Sequence, residues 1–508
     1  MYIFDKLIDL NADLYNDLNI LLKPILYIFL FLSIIGPLVS VFSKTNTLSE
    51  TKRQASKSRL NDKNYKYDGK HHSFHPTLQN FYFGVPYFKH RPIADDGFVY
   101  AIILCPLIAL SCIPVELLLT EFRKEETFRK RIYYRLTIFE VGVQLVTLLI
   151  TTKVLLSNLE LSFTFAEAVI VSQVFGISLF DFIYSVPNKG IVGTSYIVKT
   201  LIECIVLGIV LMSLLIYFFG KFGDGSQAAN INSFVGSLGS TIIFTGIGFY
   251  IKVGRNPVLW LLEYVFMTRE NAFILSYWSF LLVVSLLVYL KTPEKHKESK
   301  LGLVLHFKRK YFHLLAICLI VPSYFISMNF TSLGLGVGLL LMFLSEMMRI
   351  MRIGVVGRTV DKFYSTFTDE KDCGKVITSH FYLLFGCSFP IWLGGEGRLS
   401  IFSGVLVLGF SDAIASIAGN KYGKTKWFGS KKSVEGTLGF VLSLVVLCIF
   451  GETWLFPGNG EIVTVKVFWI CLISVVIGTM EAVTLQNDNL VLPLTFYALY
   501  NLIFQSFV

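Results

Sequence analysis

What limits this chain most is the recurrence of apolar runs about as long as a bilayer is thick. They lie near residues 21–42, 98–119, 136–152, 163–184, 200–219, 232–251 and 270–290, and again near 312–328, 331–345, 376–393, 400–418, 434–451, 466–485 and 489–507. A helix needs about 17–25 residues to cross the hydrocarbon core, where every backbone polar group must be satisfied within the segment. The runs therefore predict an all-α polytopic membrane protein of about 14 (13–15) transmembrane helices. Composition agrees: 54% of the 508 residues are hydrophobic and only 16% charged, with a mean hydropathy of +0.63.

A formal net charge of +10 would suggest nucleic acid in a soluble protein. Here the basic residues are read loop by loop instead, because positive loops are retained in the cytoplasm. Lys291, Lys295, Lys297, Lys300, Lys308, Arg309 and Lys310 share one loop. Arg349, Arg352, Arg358, Lys362, Lys371 and Lys375 occupy the next but one, and Lys421, Lys424, Lys426, Lys431 and Lys432 the next but one again. The intervening connections hold no basic residue near Asn329, then only Arg398 and Lys466. Alternation thus puts the catalytic loops of the second half on one face, the cytoplasmic one, and no nucleic-acid partner is implied. The N-terminal half obeys less cleanly: residues 120–135 are also basic, so one span there is expected to be miscounted or re-entrant.

Residues 1–290 are read as an N-terminal multi-span region and 291–508 as a catalytic membrane domain. The polar, basic loop near 43–97 carries His71, His72 and His75, yet no further ligand stands at coordinating spacing, so a partly disordered loop is expected rather than a metal site. Met1 to Asn19 has four aspartates and no cleavable signal order, so the run 21–42 is expected to persist as an anchor. The eight cysteines fall mainly in apolar runs without CxxC spacing and read as buried small hydrophobes. The sequon Asn329-Phe330-Thr331 lies in a very short outer turn and is expected to be unused.

The chemistry concentrates in DAIASIAGNKYGKTKWFGSKKSVEGT, Asp412 to Thr437. Gly419, Gly423, Gly429 and Gly436 allow backbone turns with positive φ and close approach to a ligand. The five lysines supply point charges for a polyphosphate. Ser433, Glu435 and Thr437 open the next apolar run, so a helix is expected to begin there, offering N–H groups and partial positive charge to an anion. Asp412 sits within an apolar run, where a carboxylate is costly unless it meets a cation, and a divalent metal riding on phosphates is its simplest partner. By charge alone the stretch also fits an ordinary positive-inside loop, and it contains no GxxxxGK[ST].

Other polar groups reach the same face. Arg309, Lys310 and His313 enter a span together, as interfacial anchors or as contacts for a phosphate or lipid hydroxyl. Glu346 and Arg349 are spaced to pair on one helix face. Phe367 to Tyr382 brings Asp369, Asp372 and His380 to the boundary; Glu481 lies inside a span and Asp488 with Asn489 in a tight turn. Such acids, and the histidine, are candidates for metal binding or for deprotonating a hydroxyl.

The pattern DxxAxxxGxxxG followed by KKSxEGT resembles the CTP-binding motif of the dolichol kinase family, falling on Asp412, Ala415, Gly419, Gly423, Lys431, Lys432, Ser433, Glu435, Gly436 and Thr437. The Arg309–His313, Phe367–Tyr382 and Glu481–Pro493 segments are similar to segments of the same family, so the resemblance runs from about Lys308 to the C-terminus. CTP-dependent diacylglycerol kinases, phytol kinases and phosphatidate cytidylyltransferases share part of the signature. The resemblance implies a CTP-dependent kinase of the endoplasmic reticulum membrane, using Mg2+ and phosphorylating dolichol to supply the carrier for N-glycosylation, O-mannosylation and GPI-anchor synthesis. It would give Gly419, Asn420, Lys421, Gly423, Lys424, Lys431, Lys432, Ser433, Glu435, Gly436 and Thr437 to the nucleotide and Asp412 to the metal. The general base stays open among His380, Asp369, Asp488 and Glu481. The rivals are a diacylglycerol kinase or cytidylyltransferase with the same motif, and a multi-span transporter. Against the latter, the N-terminal half carries no matching copy of the polar motifs.

Overall fold

The computed structural model describes residues 146–508 apart from 160, 185–192, 223–225, 292–300, 366–367, 369–371, 373, 395–398, 428–429, 431, 457–462, 485 and 505–508. The expected spans before residue 146, the loop 43–97, Asp369 and Lys431 lie outside the described residues, and Arg309 lies in a helix whose side chain at that position is not described.

The described elements are helical. They are α1 (Val146–Asn158), α2 (Phe165–Tyr184), α3 (Thr194–Phe222), α4 (Gln227–Val253), α5 (Pro257–Phe266), α6 (Arg269–Lys291) and α7 (Leu301–Ile326), then α8 (Met328–Ile350), α9 (Gly354–Ser365), α10 (Ser379–Leu393), α11 (Asp412–Tyr422), α12 (Val434–Phe450), α13 (Val463–Val483) and α14 (Asp488–Phe504). Among the described residues there is no strand, only an isolated antiparallel bridge between Lys426 and Ser433. Six helices among the described residues are long and apolar enough to cross a membrane: those over Thr194–Phe219, Gln227–Val253, Arg269–Val288, Met328–Ile350, Val434–Leu455 and Lys466–Val483.

Packing shows why an apolar surround suits these helices. On α12, Phe440, Leu444 and Cys448 are buried, while Leu438, Leu442, Val446 and Phe450, also at four-residue spacing, are more than half exposed. A helix apolar on both faces belongs in lipid or in a core. The hub is α14, whose Leu490, Val491, Leu492, Leu494, Phe496 and Ala498 are all essentially inaccessible. It packs on α10 and α13. A Cβ at Gly386 of α10 would lie 2.2 Å from the Asn489 carbonyl oxygen, so the absent side chain sets how closely these helices cross. The same core includes Ala166, Val169 and Ile170 of α2, so α2 shares its interior with the C-terminal helices.

Two elements depart from the expected spans. The run 400–418 is not one helix but a 3-10 turn (Leu399–Phe402), a π-helix (Val405–Ser411) and then α11. Its glycines press on neighbours, a Cβ at Gly404 falling 2.5 Å from the Cys387 Cα. The π-turn closes with the Asp412 N–H donating to the Val407 carbonyl, directly before the site. The stretch 346–375, read as a loop, contains α9; Arg352 and Gly354 at φ 53° and 54° turn the chain into it. At the opposite end of the bundle from Asp412, Lys466 approaches Glu452 at 3.3 Å and Tyr500 donates to the same carboxylate, tying α13 and α14 to the end of α12.

Candidate active site

The loop 423–433 is folded onto the ends of α11 and α12 by its own polar groups. The Trp427 N–H donates to the Lys432 carbonyl (3.1 Å) and the Val434 N–H to the Thr425 carbonyl (2.9 Å). Ser433 is the N-cap of α12, its Oγ accepting from the Gly436 N–H at 3.1 Å. Glu435 accepts from the Lys424 and Thr425 N–H groups at 3.1 and 3.0 Å and is spent holding the loop. Trp427 Nε1 donates to Thr437 Oγ1 at 2.9 Å.

The glycines act differently from the expectation. Gly419 lies inside α11, and Gly423 has φ −67°; neither forms a positive-φ turn. Gly423 and Gly436 are instead required by contact: a Cβ at Gly423 would stand 2.2 Å from the Gly419 carbonyl oxygen and 2.6 Å from Ser433 Oγ, and one at Gly436 3.0 Å from the Ala415 carbonyl oxygen. They let α12 begin against α11. The Gly423 N–H is bonded to the Gly419 carbonyl, so this segment is a helix end rather than a phosphate-cradling loop.

This contact leaves a cavity of about 270 Å³ between α7, α11, the start of α12, the end of α13 and the first turn of α14. Lys310 and His313 line it from α7, Asp412, Ser416, Gly419 and Asn420 from α11, Ser433, Gly436 and Thr437 from α12, Glu481 from α13, and Asp488 and Asn489 from α14, with Lys426 and Lys432 from the loop. Lys310 Nζ pairs with the Asp412 carboxylate and also donates to the Asp412 carbonyl at 3.3 Å. His313 Nε2 is 3.8 Å from Asp412 Oδ2 and 3.3 Å from Asn489 Oδ1. Lys432 Nζ donates to Glu481 Oε1 at 2.5 Å and to its carbonyl at 2.7 Å, with Asp488 Oδ2 at 3.7 Å. Burial disfavours the Lys432 ammonium, but the Glu481, Asp488 and Asp412 carboxylates outweigh it and hold the pKa above the ordinary lysine value.

Of the residues singled out from sequence, the fold therefore gathers Asp412, Lys432, Glu481, Asp488, Lys310, His313, Gly419, Asn420, Ser433, Gly436 and Thr437 at one cavity. Lys421 and Lys424 are outside its lining; Lys421 lies over the Tyr422 ring. His380 is elsewhere, half-buried against Tyr364 and Phe381 at 4.3 and 5.0 Å between ring centres. Asp372 caps α10, accepting from the Thr378 and Ser379 N–H groups. Glu346 and Arg349 pair doubly, as their spacing predicts, and Glu346 also takes the Ile377 N–H. Asn489 had no assigned role; its place beside Asp488 at a helix start was the available signal.

A family model described as dolichol kinase matches residues 132–384. Relatives include a human dolichol kinase, 32% identical over 310 residues, which are 57% of this chain and 56% of that protein. Over these residues the chain is similar to dolichol kinases. A dolichol kinase of Arabidopsis thaliana is 36% identical over 48% of the chain and 43% of its own length, and one of Saccharomyces cerevisiae 30% identical over 49% and 46%. The chain thus spans about half the length of the curated dolichol kinases it matches. No solved structure matches it. The cavity offers ammonium groups for an anionic ligand and carboxylates that can take a cation or a proton.

Proposed function

We propose that the chain is a dolichol kinase, transferring the γ-phosphoryl group of CTP to the hydroxyl of dolichol to give dolichyl phosphate and CDP. The observation that carries this reading is the meeting of Lys310 and Lys432 with Asp412, Glu481 and Asp488 in one cavity. Phosphoryl transfer needs chiefly positioning and neutralisation of charge, and these residue types supply both. Carboxylates are hard oxygen donors of the kind Mg2+ takes; among the described residues no three acids, histidines or cysteines cluster closely enough to form a ligand set by themselves, so Asp412 would hold the ion together with the nucleotide's phosphates, whose charge it would shield.

The chain's own groups then divide the work. Lys432, with Lys431 beside it in sequence, neutralises the phosphates once it leaves Glu481, and the start of α12 adds its partial positive charge, although the Val434 and Gly436 N–H groups are already bonded. Lys310 exchanges Asp412 for the same phosphates. Asp488 is the better-placed base: Glu481 is held tightly by Lys432, whereas Asp488 stands 3.7 Å from it and its side chain is 26% exposed. Glu435 contributes by keeping the loop folded. In the membrane, about 14 helices would put this cavity at the cytosolic face of the endoplasmic reticulum, where a bilayer-soluble alcohol can present its hydroxyl to a soluble nucleotide.

The deciding experiment incubates membranes containing wild type or Lys432→Ala with γ-labelled CTP and either dolichol or diacylglycerol. Label in dolichyl phosphate, lost in the variant, is expected. Label only in the diacylglycerol product would keep the site and overturn the acceptor; no labelled lipid would overturn the kinase reading.

A further inference from the structure

A buried polar network outside the chemistry above reaches the cavity through the first turn of α14. Asn487 caps that helix: its carbonyl accepts from the Leu490 and Val491 N–H groups, and its Oδ1 accepts from the Asn489 N–H at 3.1 Å. The cap is held by a residue more than 300 positions earlier. Glu167, in the first turn of α2 and fully buried, accepts the Asn487 N–H on Oε1 at 3.3 Å. On Oε2 it accepts the Thr164 N–H at 3.1 Å and the Tyr382 hydroxyl at 3.2 Å. Thr164 and Glu167 form a capping box, the Thr164 Oγ1 accepting from the Glu167 N–H, while the Thr164 hydroxyl also donates to Gln486 Oε1 at 2.6 Å. A capping box alone needs one side of the carboxylate. The other side faces the turn that carries Asp488 and Asn489.

The network continues to Asp412. Asn489 Nδ2 donates to the Ser379 carbonyl at 3.5 Å, which turns its Oδ1 towards His313 Nε2 at 3.3 Å. An amide oxygen only accepts, so Nε2 carries the hydrogen. The same nitrogen is 3.8 Å from Asp412 Oδ2. The imidazole is therefore fixed in ring orientation and tautomer by Asn489, and it faces the carboxylate as a donor.

We propose that Asn489 and Glu167 are positioning residues for the transfer: Asn489 acts through His313 on Asp412, and Glu167 acts through the Asn487 cap on the turn that carries Asn489. This rests on the phosphoryl-transfer reading and gives the N-terminal region a part in it beyond anchoring. Outer partners of ligating groups commonly change affinity or activity by about 10–100-fold when removed.

The test is a double-mutant cycle on the full chain in membranes, with γ-labelled CTP and dolichol. Asn489→Ala is expected to lower kcat/KM for CTP about 10–100-fold, with KM for dolichol changed less than about threefold, and to cost under about twofold more in a His313→Ala background. Glu167→Ala should lower kcat/KM for CTP likewise and add less than its full effect to Asn489→Ala. Tyr382→Phe removes a single hydrogen bond from Glu167 with little change of volume, guards against misfolding, and is expected to lower kcat/KM for CTP in the same direction as Glu167→Ala. A parallel arm reads the shift in thermal midpoint caused by CTP with Mg2+, which needs no acceptor lipid. Losses that multiply in both arms, or a folded Asn489→Ala with unchanged kcat/KM, would overturn the relay. Wild type protected by CTP but labelling no lipid would overturn only the acceptor, the relay then being decided by the protection arm. Neither label nor protection would remove the functional reading, and the relay with it.

Discussion

Lys432 Nζ lies 2.5 Å from Glu481 Oε1 and 2.7 Å from the Glu481 carbonyl oxygen, so the lysine-rich loop is fastened to the last turn of α13. A polyanion entering the cavity must compete with that fastening. Removing the cation should therefore do two things at once: abolish neutralisation of the phosphates and leave Glu481 beside Asp488 without its counter-charge. Lys432→Met is expected to lower kcat/KM for CTP at least about 100-fold. Breaking a buried pair from one side is strongly destabilising, but Lys432 is about a third exposed, so the thermal midpoint should fall by only about 2–6 °C. The sign with pH follows from the raised lysine pKa. The pair's contribution is complete below the unfolded lysine value and is lost only as pH rises through the higher folded one. The difference in midpoint between wild type and variant should thus be flat from about pH 7 to 9 and shrink only at higher alkalinity; a difference that already shrinks near neutrality would contradict it.

Lys310 and Asp412 can be separated by a paired substitution. Lys310→Met leaves the Asp412 carboxylate without its direct ion-pair partner, with His313 at 3.8 Å and Lys432 farther off, whereas Lys310→Met with Asp412→Asn removes both charges. The double variant should recover much of the heat resistance lost in the single one, because an uncompensated charge costs more than a missing pair. Turnover should not recover. Equal recovery of both would make Asp412 structural rather than a holder of the nucleotide's metal.

Asp488 and Glu481 are predicted to divide along kcat and KM. Asp488→Asn should lower kcat by about 10²–10⁴-fold, the usual reach of general base catalysis, with little change in KM for CTP. Glu481→Gln frees Lys432 from its ion pair and should act mainly on KM for CTP. Steady-state kinetics with dolichol saturating would reverse the assignment if the two patterns were exchanged.

How far these features could be read beforehand depends on the physical signal each leaves in sequence. The spans over 232–251, 270–290 and 434–451 were legible because bilayer crossing demands long apolar runs, and helices long and apolar enough run over Gln227–Val253, Arg269–Val288 and Val434–Leu455. The helix start at Ser433 was legible because its cap leaves a local signature. The role of Gly423 was not, since sequence cannot tell a glycine needed for positive φ from one needed for close approach, and only the neighbouring carbonyl at 2.2 Å decides. Nor was the meeting of Glu167 with Asn487: hydrogen bonds across hundreds of residues have no period. Nor was the setting of His380: it stands near acids in sequence, but its ring meets Tyr364 and Phe381 and does not line the cavity.

His380 gives a prediction of the opposite kind. It stacks among Tyr364 and Phe381, and it does not line the cavity. Replacing it with a ring of similar size should keep the packing, so His380→Phe is expected to retain turnover within about threefold, the loss being one of fit rather than chemistry. A loss near that of Asp488→Asn, with the midpoint unchanged, would bring His380 back as the base.

Gly423 tests whether the glycine pattern serves the contact between α11 and α12. An added methyl group meets backbone, the Gly419 carbonyl oxygen at 2.2 Å, as well as Ser433 Oγ at 2.6 Å, so a rotamer change cannot relieve it. The end of α11 must move away from the α12 cap, and with it the loop that presents Lys432. Gly423→Ala is therefore expected to raise KM for CTP about tenfold or more, since displacement of about 1 Å in a positioning element can cost as much as 10²-fold. The Trp427 indole, bonded to Thr437, reports the same movement. Its emission, isolated by difference from Trp427→Phe, should shift to longer wavelength as the hydrogen bond opens to water. If the glycine were instead needed for its N–H, already bonded to Gly419, alanine would preserve that donor and both KM and the Trp427 emission would stay at wild-type values.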